Sequence, residues 1–212
     1  MNREEAKERR RQQVLDAAEA AIRREGSVDF SMRELAQSAG VSFATPFNLF
    51  GKKEDILAAL FNKRITEQAT QTNQREHAGS GLNLVFSVAS ESCDAYLSDA
   101  QLFKPLAQTF RMQSSPQLHA VANQAQAIWR EALVDCQNDR VLNTKSDLDK
   151  MARQIHLSFR VAFWMWAADN LSDQDFKQQV LYNTFSILLR SATPKGKSEL
   201  DHLLESDPRL AP

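Results

Sequence analysis

Glycine and proline are scarce, six of each in 212 residues, which argues against a loop-rich or all-β chain and leaves an all-helical reading. No stretch alternates in the two-residue manner of a strand, and no segment repeats. Cysteine is scarcer still. Cys93 and Cys136 lie in helical patterns with no second Cys or His at metal-ligand spacing, so both are expected to be reduced, structural thiols. The longest apolar run, Val161 to Ala168, falls far short of the about 20 residues that span a bilayer. The start, MNREEAKERRRQQ, is charged and lacks the apolar stretch of a secretory signal. A cytoplasmic protein with no membrane partner is the expectation. Also missing are Ser-His-acid, Cys-His, paired-carboxylate and phosphate-loop patterns, and none of the four histidines has a metal partner at i+4. Hence no catalytic residue, no metal ligand and no cofactor is expected, and the chain does not read as an enzyme. A large excess of one charge is absent too: the formal net charge is −1. Residues 1–64 hold 12 Lys and Arg against 10 Asp and Glu, while the remainder holds 14 against 17. A mildly basic N-terminal part has the sign a nucleic-acid binder needs, although chance variation between helices explains it equally well.

What is present is a succession of amphipathic helices. Val14, Leu15, Ala18, Ala21 and Ile22 recur at helical spacing from Glu4 to Arg24, and Gly26 supplies a stop. Ser31 and Glu34 then form a capping box, with Phe30 and Leu35 as a hydrophobic staple. The helix they start must end by Gly40, and Ser42 is a second N-cap candidate. A further helix begins near Lys52, carries Ile56, Leu57, Leu60, Phe61 and Ile65, and runs on into polar residues 67–75. The stretch from His77 to Gly81 is the best boundary loop. Beyond it, amphipathic helices are expected at about 82–98, 100–112, 116–137, 147–169 and 173–192. Residues 193–212 contain three prolines and read as a loose tail with at most one helical turn, at Glu199 to Glu205. The expected division is 1–51 for a small N-terminal domain, 52–76 for a linking helix, 77–193 for a larger domain and 194–212 for the tail.

Residues 31–50 have the parts of a helix-turn-helix, in which one helix braces on the DNA backbone and the next enters the major groove. Leu35, Ala36, Ala39, Val41, Phe47 and Phe50 fall on positions that can face inward, and small Ala36 and Ala39 let two helices approach closely. Ser42, Phe43, Ala44, Thr45 and Asn48 remain near the exposed start of the second helix. Thr and Asn hydrogen-bond base edges, and Ala and Thr touch thymine methyl groups. As a bare pattern, the competing explanation is a helical hairpin inside an ordinary bundle.

Residues 11–61 resemble the N-terminal domain of the TetR family of bacterial regulators. The likeness rests on Val14-Leu15-x-Ala17-Ala18, Met32-Arg33-x-Leu35-Ala36, Ala39-Gly40-Val41-Ser42, Thr45, Phe47, Phe50 and Lys53-Glu54-x-Ile56-Leu57, in one ungapped run over about a quarter of the chain. It implies three short N-terminal helices with the helix-turn-helix, a linking fourth, a larger helical bundle for ligand binding and dimerisation, and a homodimer. It places Arg33 near bases or phosphates, Thr45 and Phe47 at the backbone, Lys53 on a phosphate, and Phe43, Ala44 and Asn48 where the family varies its base readout. Three positions depart from the family pattern. Position 47 is most often Tyr, and Phe47 lacks the hydroxyl that bonds a phosphate; Leu49 replaces a common aromatic residue or His; Pro46 stands where an aliphatic residue is usual. Proline biases the preceding residue away from helical geometry, so the second helix is expected to start late, with Thr45 as cap and Pro46 as first helical residue. Lys7, Arg9, Arg10 and Arg11 would flank the groove on phosphates, unless ion pairs with Glu4, Glu5 and Glu8 make them an ordinary solvated face.

Farther on, Leu148, Ala152, Ile155, Phe159, Ala162 and Trp166 form a stripe that Val161, Trp164, Met165 and Ala168 broaden, and a helix this apolar must be covered on two sides. In the family the last two helices pair as a four-helix dimer interface, which nominates Trp164, Ala168, Leu181, Phe185 and Leu188; plain core burial is the alternative. Phe86, Phe103, Leu106, Phe110, Trp129 and Phe163 are candidates to line a cavity for a small apolar or amphipathic effector, bordered by a kink at Pro105, or else are core. The expected function is a transcriptional regulator, a repressor that binds double-stranded DNA at a palindromic operator as a dimer and is released by a small-molecule inducer. The alternative, motivated by Pro46, Phe47 and Leu49, is a helical-bundle interaction protein without operator reading.

Overall fold

The computed structural model describes residues 2–74, 81–109 and 116–207. They form ten helices: α1 (Arg3–Glu25), α2 (Met32–Ser38), α3 (Ala44–Phe50), α4 (Lys53–Gln74), α5 (Leu82–Leu97), α6 (Ala100–Thr109), α7 (Pro116–Asn138), α8 (Leu148–Ala167), α9 (Asp173–Ser191) and α10 (Pro194–Ser206). No strand occurs among the described residues, so the all-α expectation holds. No helix among them is long and apolar enough to cross a membrane. Of the expected boundary loop only Gly81 lies within the described residues.

The chain divides into two compact units, Met1–Thr66 with Asp99–Gln113, and Glu67–Ser98 with Ser114–Pro212. In the first, α1 is fixed at both ends. Asn2 and Glu5 form a capping box, and Gly26 at φ 65° returns its amide to the Ile22 carbonyl. Val14, Ala18 and Ile22 of α1, Leu35 of α2, Ile56 and Leu60 of α4, and Leu102 and Leu106 of α6 are buried in its core. Helix α6, distant in sequence, packs on α1. Arg23 grips Asp99 just before α6, with Nη2 2.6 Å from Oδ2, and also holds Glu19 one turn back. Arg64 of α4 bonds the same Glu19. Burial alone would raise the Glu19 carboxyl, but the two guanidinium groups outweigh it and hold the carboxyl below its usual range.

In the second unit α7 packs on α8, α8 on α9, α9 on α5 and α5 on α7, which closes a four-helix bundle. Its interior is aromatic. Trp166 stacks on Phe176 at 5.3 Å, Phe163 sits 5.8 Å from Trp166 and 4.7 Å from Tyr96, and Phe159 meets Phe176 edge-on at 5.8 Å. The Trp166 indole N–H donates to Asp173 at 2.7 Å, so the one polar group of this ring is satisfied at the start of α9. Cys93 and Cys136 are free and buried, and burial pushes both thiols up, Cys136 to about 12. Both are therefore protonated and unreactive, as structural thiols are.

Where the sequence suggests a loose tail, the structure has α10. Proline is tolerated at the first helical position because the amide it lacks would have no partner there, and Pro194 occupies that position behind Thr193 as N-cap. The segment is fastened to the α7–α8 connection. Leu142 and Ala192 form an antiparallel bridge, the Thr193 hydroxyl donates to the Arg140 carbonyl at 2.8 Å, and Lys195 reaches the Asp139 carbonyl. Gly196 lies so close to the Val141 carbonyl that an added Cβ would fall 2.0 Å from its oxygen.

Candidate nucleic-acid interface

The turn between α2 and α3 is built as its residues dictate. The Ser31 hydroxyl accepts from the Glu34 amide at 3.2 Å, and the Glu34 carboxylate accepts from the Ser31 amide at 2.7 Å. That amide is the main cause holding the Glu34 carboxyl below its usual range. Gly40 takes φ +65°, and the Val41 amide returns to the Ala36 carbonyl at 3.0 Å, a closure that needs a left-handed residue. Leu35, Ala36 and Ala39 are buried, which brings the two helices together through small side chains.

Helix α3 starts earlier than proline reasoning predicts. Its first residue is Ala44, and Phe43 precedes it in helical geometry without a side-chain cap. Pro46 is therefore the third helical residue, not the first. The first four amides of a helix have no intrahelical acceptor, so proline removes nothing there. Ser42 does not cap a backbone amide through its side chain; its Oγ lies 2.8 Å from the Thr45 Oγ1, and the Thr45 amide donates to the Ser42 carbonyl. The inward face differs as well. Pro46 is the buried residue of α3, whereas Phe47, which could face inward by position, is 42% exposed, as a residue placed at the DNA backbone needs to be. The ring one turn earlier, Phe43, is 58% exposed and meets Phe47 edge-on at 5.3 Å.

Of the remaining DNA-contact candidates, Arg33, Ser42, Ala44 and Asn48 are exposed and Thr45 is half-buried. Lys53 is half-buried, its ammonium 4.9 Å from the Phe30 ring centroid. Arg11 has a role that sequence reasoning missed: it donates to the Leu49 carbonyl at 3.1 Å and lies 4.1 Å from the Phe50 ring centroid. It holds the C-terminal end of α3 against α1, while Lys7, Arg9 and Arg10 stand in solvent. A second feature passed over in the sequence is that no Lys, Arg, Asp or Glu occurs between Glu34 and Lys52.

The other candidates are distributed over both units. Phe103 and Leu106 are buried in the first, while Trp129 and Phe163 are buried and Phe86 half-buried in the second. Phe110 lies outside the described residues. Leu181, Phe185 and Leu188 are buried within their own protomer, because α9 packs against both α5 and α8 and little of its apolar surface is left over. Trp164 and Ala168 are half-buried. Among the described residues of the second unit, the exposed large apolar ones are Leu157, Val161, Met165 and Leu189. No group of three or more potential metal-binding side chains occurs among the described residues.

Residues 14–60 match the family model of the bacterial regulatory proteins of the tetR family. Among solved structures, the chain is similar to SmeT, the repressor of the Stenotrophomonas maltophilia multidrug efflux pump SmeDEF. The two are 18% identical, with 87% of this chain and 91% of SmeT covered and a TM-score of 0.62. It is also similar to Thermus thermophilus FadR, a TetR-family transcriptional repressor in complex with lauroyl-CoA: 17% identity, 84% and 93% covered, TM-score 0.67. Bacillus subtilis FadR in complex with stearoyl-CoA gives 17% identity, 84% and 97% covered, and a TM-score of 0.64. No curated protein matches the chain significantly. The chain thus has the fold of TetR-family transcriptional regulators and carries their N-terminal domain.

Proposed function

We propose that the protein is a sequence-specific DNA-binding regulator, a cytoplasmic repressor that binds a palindromic operator as a homodimer and leaves it when a small apolar or amphipathic effector binds. The observation that supports this most is the α2–turn–α3 unit. It presents Arg33, Ser42, Phe43, Ala44, Phe47 and Asn48 in solvent on a frame fixed by the Ser31 cap and the Gly40 turn. Lys53, with Phe30 beneath it, is suited to a phosphate. A helix-turn-helix dimer reads two half-sites about one helical turn apart, so a paired surface is also needed. On α8 the residues Leu157, Val161, Trp164, Met165 and Ala168 follow one stripe at helical spacing, exposed or half-exposed, and α9 adds Leu189. These replace Leu181, Phe185 and Leu188 as the side chains offered to a partner. The lauroyl-CoA and stearoyl-CoA complexes of the two FadR proteins make acyl chains the first effectors to try, and an aromatic bundle interior is chemically suited to them. An effector releases the operator only if it binds better to the protein conformation that no longer matches successive grooves.

The decisive experiment titrates the protein against a pool of random duplexes at rising salt. Sequence-selective retention near physiological salt is expected; uniform binding that vanishes early would overturn the reading. Val161→Glu is expected to convert a dimer into monomers in sedimentation equilibrium, and a variant that stays dimeric would remove α8 from the interface.

A further inference from the structure

The uncharged stretch between Glu34 and Lys52 restricts what α3 is able to read. The strongest side-chain contact to guanine is a bidentate pair from Arg or Lys to O6 and N7, and Glu or Asp accept from the cytosine amino group. Helix α3 and the turn before it contain none of these. What they offer instead is Asn48, whose amide matches the N6 and N7 of adenine, two hydroxyls already 2.8 Å apart on Ser42 and Thr45, and two aromatic rings. Soluble proteins seldom leave two adjacent phenylalanines in water, and a paired edge-to-face arrangement with 58% and 42% of the surface open is an apolar patch with a defined shape. The one large apolar feature in a DNA major groove is the thymine C5-methyl group. The charges next along the chain are Glu34, whose carboxylate is engaged by the Ser31 amide, and exposed Lys52; exposed Arg33 stands beside Glu34, so a cation suited to a phosphate lies on either side of the uncharged tip.

We infer that Phe43 and Phe47 form a methyl-reading clamp that packs on the C5-methyl groups of thymines, with Asn48 pairing adenine, so that α3 selects an A·T-rich half-site. This rests on the regulator reading above and adds to it the class of sequence read. The departure of Phe47 from the family's tyrosine then has a use: what is lost as a phosphate contact becomes apolar contact with bases.

The test uses the full chain and the duplex it selects from a random pool. Each thymine of that duplex is replaced in turn by deoxyuracil, which removes the methyl and leaves base pairing intact. Affinity is expected to fall about fourfold at one or two positions in each half-site, the worth of one buried methyl. Phe43→Ala and Phe47→Ala should weaken binding to the thymine duplex and no longer distinguish it from the uracil duplexes. Selective binding that is indifferent to every uracil would overturn the clamp and leave the regulator reading standing. Phenylalanine variants that bind DNA like the parent would do the same and would assign the exposed rings to a protein partner. Loss of selective binding by the parent chain would overturn both. The uracil series needs no variant to fold, so it decides the matter alone if the variants are unstable.

Discussion

Phe43 and Phe47 meet edge-on in the first unit with about half of their surface in water, while Phe159, Phe163, Trp166 and Phe176 of the second unit are no more than 8% exposed and lie against one another. Both groups are aromatic, and the Phe159–Phe176 pair is edge-on like Phe43 and Phe47. Burial separates them. Removing a ring from the second group leaves a cavity that dense surroundings cannot close, whereas removing one from the first opens only a surface that is already about half in water. These two groups therefore divide into rings that hold a bundle together and rings with about half of their surface left over in the isolated chain, and the latter are the ones that ask for a partner.

The contrast between the two groups of rings is most easily broken at Phe176, where the expected effect is greatest. Phe176→Ala should cost about 3–5 kcal/mol in chemical denaturation, because the ring is fully buried and faces three others. Selective DNA binding by whatever fraction stays folded should be unchanged. A loss no greater than that of Phe43→Ala would show that the two groups do not differ in kind.

Acidification tests the same bundle through a polar residue. His156 of α8 is 6% exposed, and neither ring nitrogen has a hydrogen-bond partner among the described residues. Burial, with the charge of Arg160 adding to it, lowers its pKa from 6.5 to about 4. Between those values the unfolded chain takes up a proton that the folded chain refuses. Stability is thus unaffected above pH 6.5 and falls as pH drops toward 4, by at most about 3 kcal/mol at 1.36 kcal/mol per unit. His156→Met, an apolar replacement that adapts its shape, should flatten this part of the pH–stability curve. A curve equally steep in the variant would assign the acid sensitivity to other groups.

Gly196→Ala comes next. A Cβ 2.0 Å from the Val141 carbonyl oxygen forces backbone apart, and overpacking of this kind costs about 1–3 kcal/mol. Amide hydrogen exchange should show α10 and the Leu142–Ala192 bridge opening first. Undisturbed protection there would refute the docking of α10.

How far the sequence foretells the molecule depends on how local each decision is. Ser31, Glu34 and Gly40 are legible because a cap and a left-handed turn are settled within a few residues. The two prolines differ from expectation through the helix start: Pro46, expected at the first position of α3, stands at the third, and Pro194, in what reads as a loose tail, opens α10, since proline is accepted anywhere its missing amide has no intrahelical acceptor. The assignment of α6 to the first unit depends on Arg23 and Asp99, which are 76 residues apart, and the seat of α3 on Arg11 and Leu49, which are 38 apart. Nothing in a window of the sequence registers such pairs. Leu181, Phe185 and Leu188 are equally suited by sequence to core or partner, since a helix apolar over most of its circumference does not reveal which side its own protomer takes.

The smallest expected effect sharpens the contrast most. Phe43→Ala and Phe47→Ala remove large rings, yet each should change stability by at most about 1 kcal/mol, the worth of an edge-to-face contact. The double variant should cost less than the sum of the two, because the second substitution finds the contact already gone. A larger loss would mean that the rings support the turn through Pro46, the buried residue between them, and their exposure would then follow from building α3. If stability stays near that of the parent while affinity for the selected duplex falls, folding gives no reason for two phenylalanines at positions 43 and 47. The surface they form would then be maintained for what it binds.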